Sequence, residues 1–174
     1  MSRKSPQLTN SVITPKMKDM ATPLHVELQQ TRPFDLLEEE AHVSIGRTAA
    51  LLDRAFAQML KPHGITPTQY NVLRILRGAG AAGLCRNEVG ARLVTPVPDV
   101  TRLLDRMADL KLIARQRSDE DRRLVRTHLT AKGLDLVNGL DSVLRPSHQK
   151  RLAGISREKL EALVATLAEV RAGI

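Results

Sequence analysis

Arginine and threonine side chains in a helical register carry the most legible chemistry of this 174-residue chain. Between Thr95 and Met107, the residues Pro98, Thr101, Arg102, Asp105 and Arg106 fall on or beside one face of a helical projection, and Val100, Leu103, Leu104 and Met107 fall on the other. An arginine guanidinium can bond a guanine edge bidentately, and a threonine can reach a thymine methyl or a polar base edge. Further on, Arg115, Arg117, Arg123 and Arg126 lie on IARQR and RLVRTHL, two β-compatible runs flanking the polar tip SDED, and Arg122 adjoins the tip and completes the cluster. Taken alone, Arg102 between Asp99 and Asp105 fits a solvated helix face held by i,i+3 pairing equally well. SDEDRR alone fits an ordinary charged turn. The adjoining turn and the basic cluster favour contact with a polyanion.

Composition narrows which polyanion. The formal net charge is +8 and the sequence pI about 10.2, a balance that suits DNA, RNA or an anionic membrane face. Aromatic residues make up only 2% of the chain, and Phe34, Phe56 and Tyr70 are too few to stack a run of unpaired bases. Double-stranded DNA is therefore the expected partner. No stretch approaches the length of a bilayer-spanning segment, and Arg3 and Lys4 are not followed by an apolar run, so a soluble, cytoplasmic protein is expected. Cys85 is the single cysteine, which excludes an intrachain disulfide and a cysteine-rich metal site. His42, His63, His128 and His148 show no close ligand spacing. With no phosphate-binding glycine loop and no G-x-S-x-G, an enzyme is not expected, and neither is a cofactor.

The elements that must position these residues follow from periodicity and capping. Residues 1–37, with Pro6, Pro15, Pro23 and Pro33, predict a flexible arm with one helical turn near LHVELQQ. Ile45, Ala49, Leu52, Phe56 and Met59 recur at spacings of four and three, predicting a helix over 38–61 with a seam for a long partner. In ITPTQYNVLRIL, Thr66 is expected as N-cap, Pro67 at the first helical position, Gln69 closing a capping box, and Ile65 and Tyr70 as a staple; Gly78 and Gly80 are expected to stop the helix. A short helix over 84–94 and the turn Thr95–Pro98 then lead into the helix with the outward arginines, the elements of a helix-turn-helix. Thr130 is expected to cap a helix that Pro146 ends or kinks. Ser156 begins a last helix with Leu160, Leu163, Val164, Leu167 and Val170 on one stripe. The surplus apolar surface of the terminal helices suggests a dimer.

Three motifs in order, ITPTQYNVLRIL, CRNEVGARLVTPVPDVTRLLDRM and DRRLVRTHLTAKG, resemble the MarR family of winged-helix transcriptional regulators over roughly residues 40–173. The resemblance implies a mainly α fold with a small β-hairpin wing. It divides the chain into an arm (1–37), a winged helix-turn-helix DNA-binding domain (62–129) and a helical dimerisation region (38–61 and 130–174). It further implies a homodimeric repressor on a pseudo-palindromic operator, responsive to a small aromatic or phenolic effector. By resemblance, Thr101, Arg102 and Arg106, with Thr95, Pro98 and Asp99 of the preceding turn, look like the recognition-helix contacts. Arg86 and Asn87 match positions facing the DNA backbone. Arg123 matches the wing arginine of the family's D-x-R pattern and Asp121 looks like the carboxylate that holds the wing in shape, with Arg117 and Arg122 as adjacent candidates for phosphate or minor-groove contact. The resemblance implies that the first and last helices intertwine in the dimer, which makes Ile45, Leu52, Phe56, Leu160, Leu163 and Leu167 of their apolar stripes the expected dimer contacts. The chain departs from the family's pattern at Cys85, where serine is common, at Lys111, where glycine is common, and in the turn with Pro96 and Pro98. Lys111 is expected at a left-handed position, and Pro98 in the first helical turn. Two alternatives stand beside this: a winged-helix protein-interaction module without specific DNA binding, and a thiol-based redox sensor through Cys85. Peroxide-sensing members carry their reactive cysteine on the first helix, where this chain has none, so Cys85 is read as a serine substitute.

Overall fold

The computed structural model describes residues 22–117 and 125–174. The chain forms two compact units, Met1–Leu52 and Asp53–Ile174. In the first, the expected helical turn is α1 (Leu24–Glu27), and α2 (Leu37–Leu60) begins with Glu38, Glu39 and Glu40 in its first turn, where the helix dipole favours carboxylates. Arg47 Nε donates to Glu27 Oε1 at 2.9 Å. The expected arm otherwise falls mostly on residues 1–21, outside the described residues.

In the second unit α3 (Pro67–Ala79) starts as its sequence predicts. The Gln69 N–H donates to Thr66 Oγ1 at 3.2 Å, the Thr66 N–H donates to Gln69 Oε1 at 2.9 Å, and Ile65 and Tyr70 are both buried. Gly78 lies inside this helix; Gly80 ends it at φ +62°, a conformation that glycine adopts without the Cβ penalty. The helix expected over 84–94 is shorter. Leu84 and Cys85 form a strand, β1, and α4 covers Arg86–Ala91. Next come α5 (Val100–Asp109), β2 (Ile113–Arg117) and β3 (Val125–Leu129). The sheet is antiparallel in the order β1-β3-β2, with Leu84 opposite Thr127 and Arg115 opposite Thr127 on the other side. The wing is thus a three-stranded sheet, wider by one strand than the expected hairpin.

The last helices are α6 (Ala131–Leu152), capped by Thr130 through the Gly133 N–H, and α7 (Arg157–Ala172), capped by Ser156. Pro146 does not end α6. It lies on the exposed side with Ser142, whose carbonyl loses its helical donor, and water can satisfy that oxygen. Arg77 ties α3 to α6 through Asp141 at 2.8 Å and Asn138 at 2.9 Å. The Arg77 hydrogen bond holds the Asp141 carboxyl below the usual aspartate range. Its stabilisation is complete above the ordinary carboxylate pKa and fades only as pH falls through the depressed one.

The core joins α3, α4, α5, the sheet and α6 through Leu73, Leu76, Leu84, Val89, Leu104, Met107, Ile113, Val137 and Leu140. Where α5 hands over to β2, Lys111 is left-handed at φ +60°, as expected. The Leu112 N–H reaches back to the Met107 carbonyl at 3.0 Å and the Lys111 N–H to Ala108 at 2.8 Å, a Schellman ending. Thr130 Oγ1 and Lys132 Nζ donate to the carbonyls of Lys111 (2.7 Å) and Leu110 (2.9 Å), which fastens the end of α5 to the start of α6. Gly133 permits this approach, since a Cβ there would land on the Leu112 carbonyl. Gly133→Ala should lower unfolding free energy by about 3 kcal/mol, the scale of an overpacked core, measured by urea denaturation; a loss under about 1 kcal/mol would mean the two segments are not held in register here.

Candidate nucleic-acid interface

The outward face of α5 is built from both ends. At its start Asp99 is the N-cap, its Oδ1 accepting the Arg102 backbone N–H at 2.9 Å. Pro98 therefore precedes the cap instead of occupying the first helical turn, because the aspartate side chain takes the capping role one residue later. Inside, Leu104 and Met107 are buried at 1% and 0% exposure, with Val100 and Leu103 packed beside them. Gly90 of α4 lets α5 come close, for a Cβ there would stand 3.2 Å from Val100 Cγ2. With that side committed, Thr101, Arg102 and Arg106 are exposed.

The carboxylates flanking Arg102 are occupied elsewhere. Asp99 caps the backbone, and Asp105 accepts Arg115 Nη1 of β2 at 2.7 Å. Arg115 Nη2 also donates to the Thr101 carbonyl at 3.3 Å, so this arginine braces α5 against the sheet. Its sequence signal was basic charge alone; ten residues separate it from Asp105, and only the pairing of helix and strand brings them together. Arg126 behaves similarly, turning Nη1 toward the carbonyls of Gly83 (3.4 Å) and Ala82 (3.5 Å). Of the three described arginines in that cluster, Arg115 and Arg126 are thus engaged internally. Arg117 at the end of β2 is exposed, and Asp121, Arg122 and Arg123 lie outside the described residues.

Arg86 and Asn87, at the start of α4, join this face. Arg86 Nη1 donates to Thr101 Oγ1 at 3.2 Å, and Arg86 Nε and Nη2 donate to Asn87 Oδ1 at 3.3 Å. Together with Pro98, Asp99 and Thr101 they line a groove of about 350 Å³ between α4 and the start of α5. Cys85 is half-buried next to them, and its backbone N–H donates to Glu88 Oε2 at 2.7 Å. That backbone bond is the chief reason the Glu88 carboxyl lies below its usual range.

On another side of the unit, Arg54, Phe56, Tyr70, Asn71, Arg74, Val94 and Thr95 line a cleft of about 680 Å³. Phe56 meets Tyr70 edge-on at 5.5 Å between ring centres, and Arg74 Nη1 donates to the Tyr70 hydroxyl at 3.2 Å. Among the sequence-expected dimer residues, Phe56 is therefore half-buried inside its own unit, Leu160 and Leu167 are half-buried, and Ile45, Leu52 and Leu163 are exposed. Among the described residues, no helix is long and apolar enough to cross a membrane.

The sequence pattern of the MarR family matches residues 63–124. An uncharacterised helix-turn-helix-type transcriptional regulator of Bacillus subtilis strain 168, YkoM, is 32% identical over 111 residues, covering 62% of this chain and 68% of that protein. The crystal structure of a MarR transcription factor from Planctomyces limnophilus is 32% identical with a TM-score of 0.60, covering 78% of this chain and 98% of that one. S. aureus MepR in its DNA complex is 26% identical with a TM-score of 0.68, covering 76% and 97%.

Asp99, the cap of α5, and Asp105 within it should separate in stability. Asp99→Ala removes a helix cap and should cost about 1 kcal/mol, whereas Asp105→Ala breaks a largely exposed ion pair and should cost under about 0.5 kcal/mol. Urea midpoints measure both, and equal losses would show that the Asp105–Arg115 brace carries the fold and not the orientation of the helix.

Proposed function

The chain belongs to the MarR family of transcriptional regulators, and we propose that it is a homodimeric repressor that reads double-stranded DNA with α5 and yields to a small aromatic or phenolic anion. The observation that carries the DNA reading is the outward face of α5: Thr101, Arg102 and Arg106 are exposed while Asp99 and Asp105 are engaged with other groups. A guanidinium whose neighbouring carboxylates are already occupied remains available for a base edge or a phosphate. The DNA-bound state of S. aureus MepR, 26% identical, supports the same partner.

In this reading Arg102 and Thr101 contact bases, Arg106 stands nearer the backbone, and Arg86 and Asn87 hold phosphates at the start of α4. Thr95, Pro98 and Asp99 present the turn, Arg117 contributes the described end of the wing, and Asp121, Arg122 and Arg123 supply its tip. The apolar residues left exposed on α2 (Ile45, Leu51, Leu52) and on α7 (Leu163, Val164, Val170) support a partner subunit, for such stripes are uncommon on a monomer's surface. Residues 62–129 would then form the reading domain, and 38–61 with 130–174 the dimerisation region. A dimer over two successive major grooves would block access to the DNA beneath it, which is the basis for assigning repression and a cytoplasmic location.

The effector proposal rests on the 680 Å³ cleft. Its Phe56 and Tyr70 rings offer an aromatic wall, and Arg54 and Arg74 against the single carboxylate of Asp53 leave net positive charge for an anion. The Tyr70 hydrogen bond raises the Arg74 pKa further, so that charge is permanent at any working pH. A ligand acts by population shift: if it favours a dimer whose recognition helices lie away from one DNA turn, roughly 34–36 Å, both half-sites cannot be engaged at once.

Fluorescence anisotropy with the protein's own upstream DNA against a scrambled duplex tests the reader. Arg102→Ala should reduce the preference roughly tenfold or more, the scale of one bidentate base contact, and sedimentation should still give a dimer. An undiminished preference would remove Arg102 from the reading face.

A further inference from the structure

Between α4 and α5 the chain must cross from Arg92 to Asp99 and deliver the recognition helix at one angle. Leu93 is buried and Val97 is partly buried, but Val94 between them is 84% exposed and gains no anchoring from its side chain. Its backbone is held instead. Asn71, half-buried on α3, accepts the Val94 N–H with its Oδ1 at 2.9 Å across 23 residues of chain.

The two prolines beyond Val94 give that bond its consequence. Pro96 and Pro98 carry no N–H and hold φ near −65°, so the segment from Thr95 to Pro98 is stiff and offers few backbone donors of its own. A stiff spacer transmits the position of its first residue to its last. The last residue before the helix is Asp99, the cap that starts α5. We propose that Asn71 is a positioning residue of the DNA-reading unit: its hydrogen bond to Val94 sets the angle at which the proline-stiffened turn delivers Thr101 and Arg102. This role rests on the DNA reading above. Asn71 touches no base in it and acts only through the turn.

Asn71 needs only an acceptor for this, which separates its role from general packing. Three full-length proteins are compared, the natural chain, Asn71→Ala and Asn71→Asp, each titrated with upstream and scrambled duplexes, with amide exchange followed at Val94. Asn71→Ala should lower the ratio of the two affinities about tenfold, the scale of one lost base contact, and speed exchange at Val94. Asn71→Asp keeps the acceptor. Its added charge should weaken both duplexes alike while the ratio and the slow Val94 exchange return. A ratio unchanged in Asn71→Ala, or equally reduced in Asn71→Asp, overturns the role of Asn71 and leaves the DNA reading standing. A natural chain that prefers neither duplex overturns the DNA reading and this role with it.

Discussion

Burial of Leu104 and Met107 is the constraint on which the outward face of α5 depends. Each contributes about 1.5–3 kcal/mol by leaving water, and their spacing on α5 sets the rotation of the helix about its own axis. Because successive residues are about 100° apart on a helix, fixing these two inward leaves Thr101, Arg102 and Arg106 no orientation except outward. The Asp99 cap and the Schellman ending at Lys111 define the two ends of the helix. Thr130, Lys132 and Gly133 fasten its far end to α6. Residues at the exposed positions can vary without disturbing the core.

Positive charge on this surface divides into two kinds of work. Arg115 and Arg126 bind carbonyls or a carboxylate of their own chain and position the sheet against α5 and the Gly80–Gly83 turn. Arg102, Arg106 and Arg117 are exposed. A basic cluster counted from sequence therefore overstates how many cations are available to a partner. The Asp105–Arg115 pair adds little to stability where water screens it. Its geometric effect is to couple the strand to the helix.

Local signals were the most legible in the sequence. Thr66, Thr130 and Ser156 cap helices as expected, because a cap is decided within four residues, and Lys111 takes the left-handed conformation expected where its helix stops. The mainly helical fold with a small antiparallel sheet and the MarR family were likewise legible. Features set by distant partners were not. The two residues of β1 have no period to detect and exist because Thr127 and Arg126 lie opposite them. Pro146 sits within α6 because the Ser142 carbonyl it leaves unpaired faces water, and Pro98 lies ahead of the helix because Asp99 caps. Asn71 gives no local signal, because its partner Val94 lies 23 residues further along the chain.

Hydroxyl-radical footprinting of the intact protein on its own upstream DNA tests most directly the central claim, a dimer presenting two copies of the α5 face. Two protected segments are predicted, related by a dyad and centred about 10 base pairs apart, one helical turn of B-DNA. A single protected segment, or protection that does not depend on sequence, would contradict it.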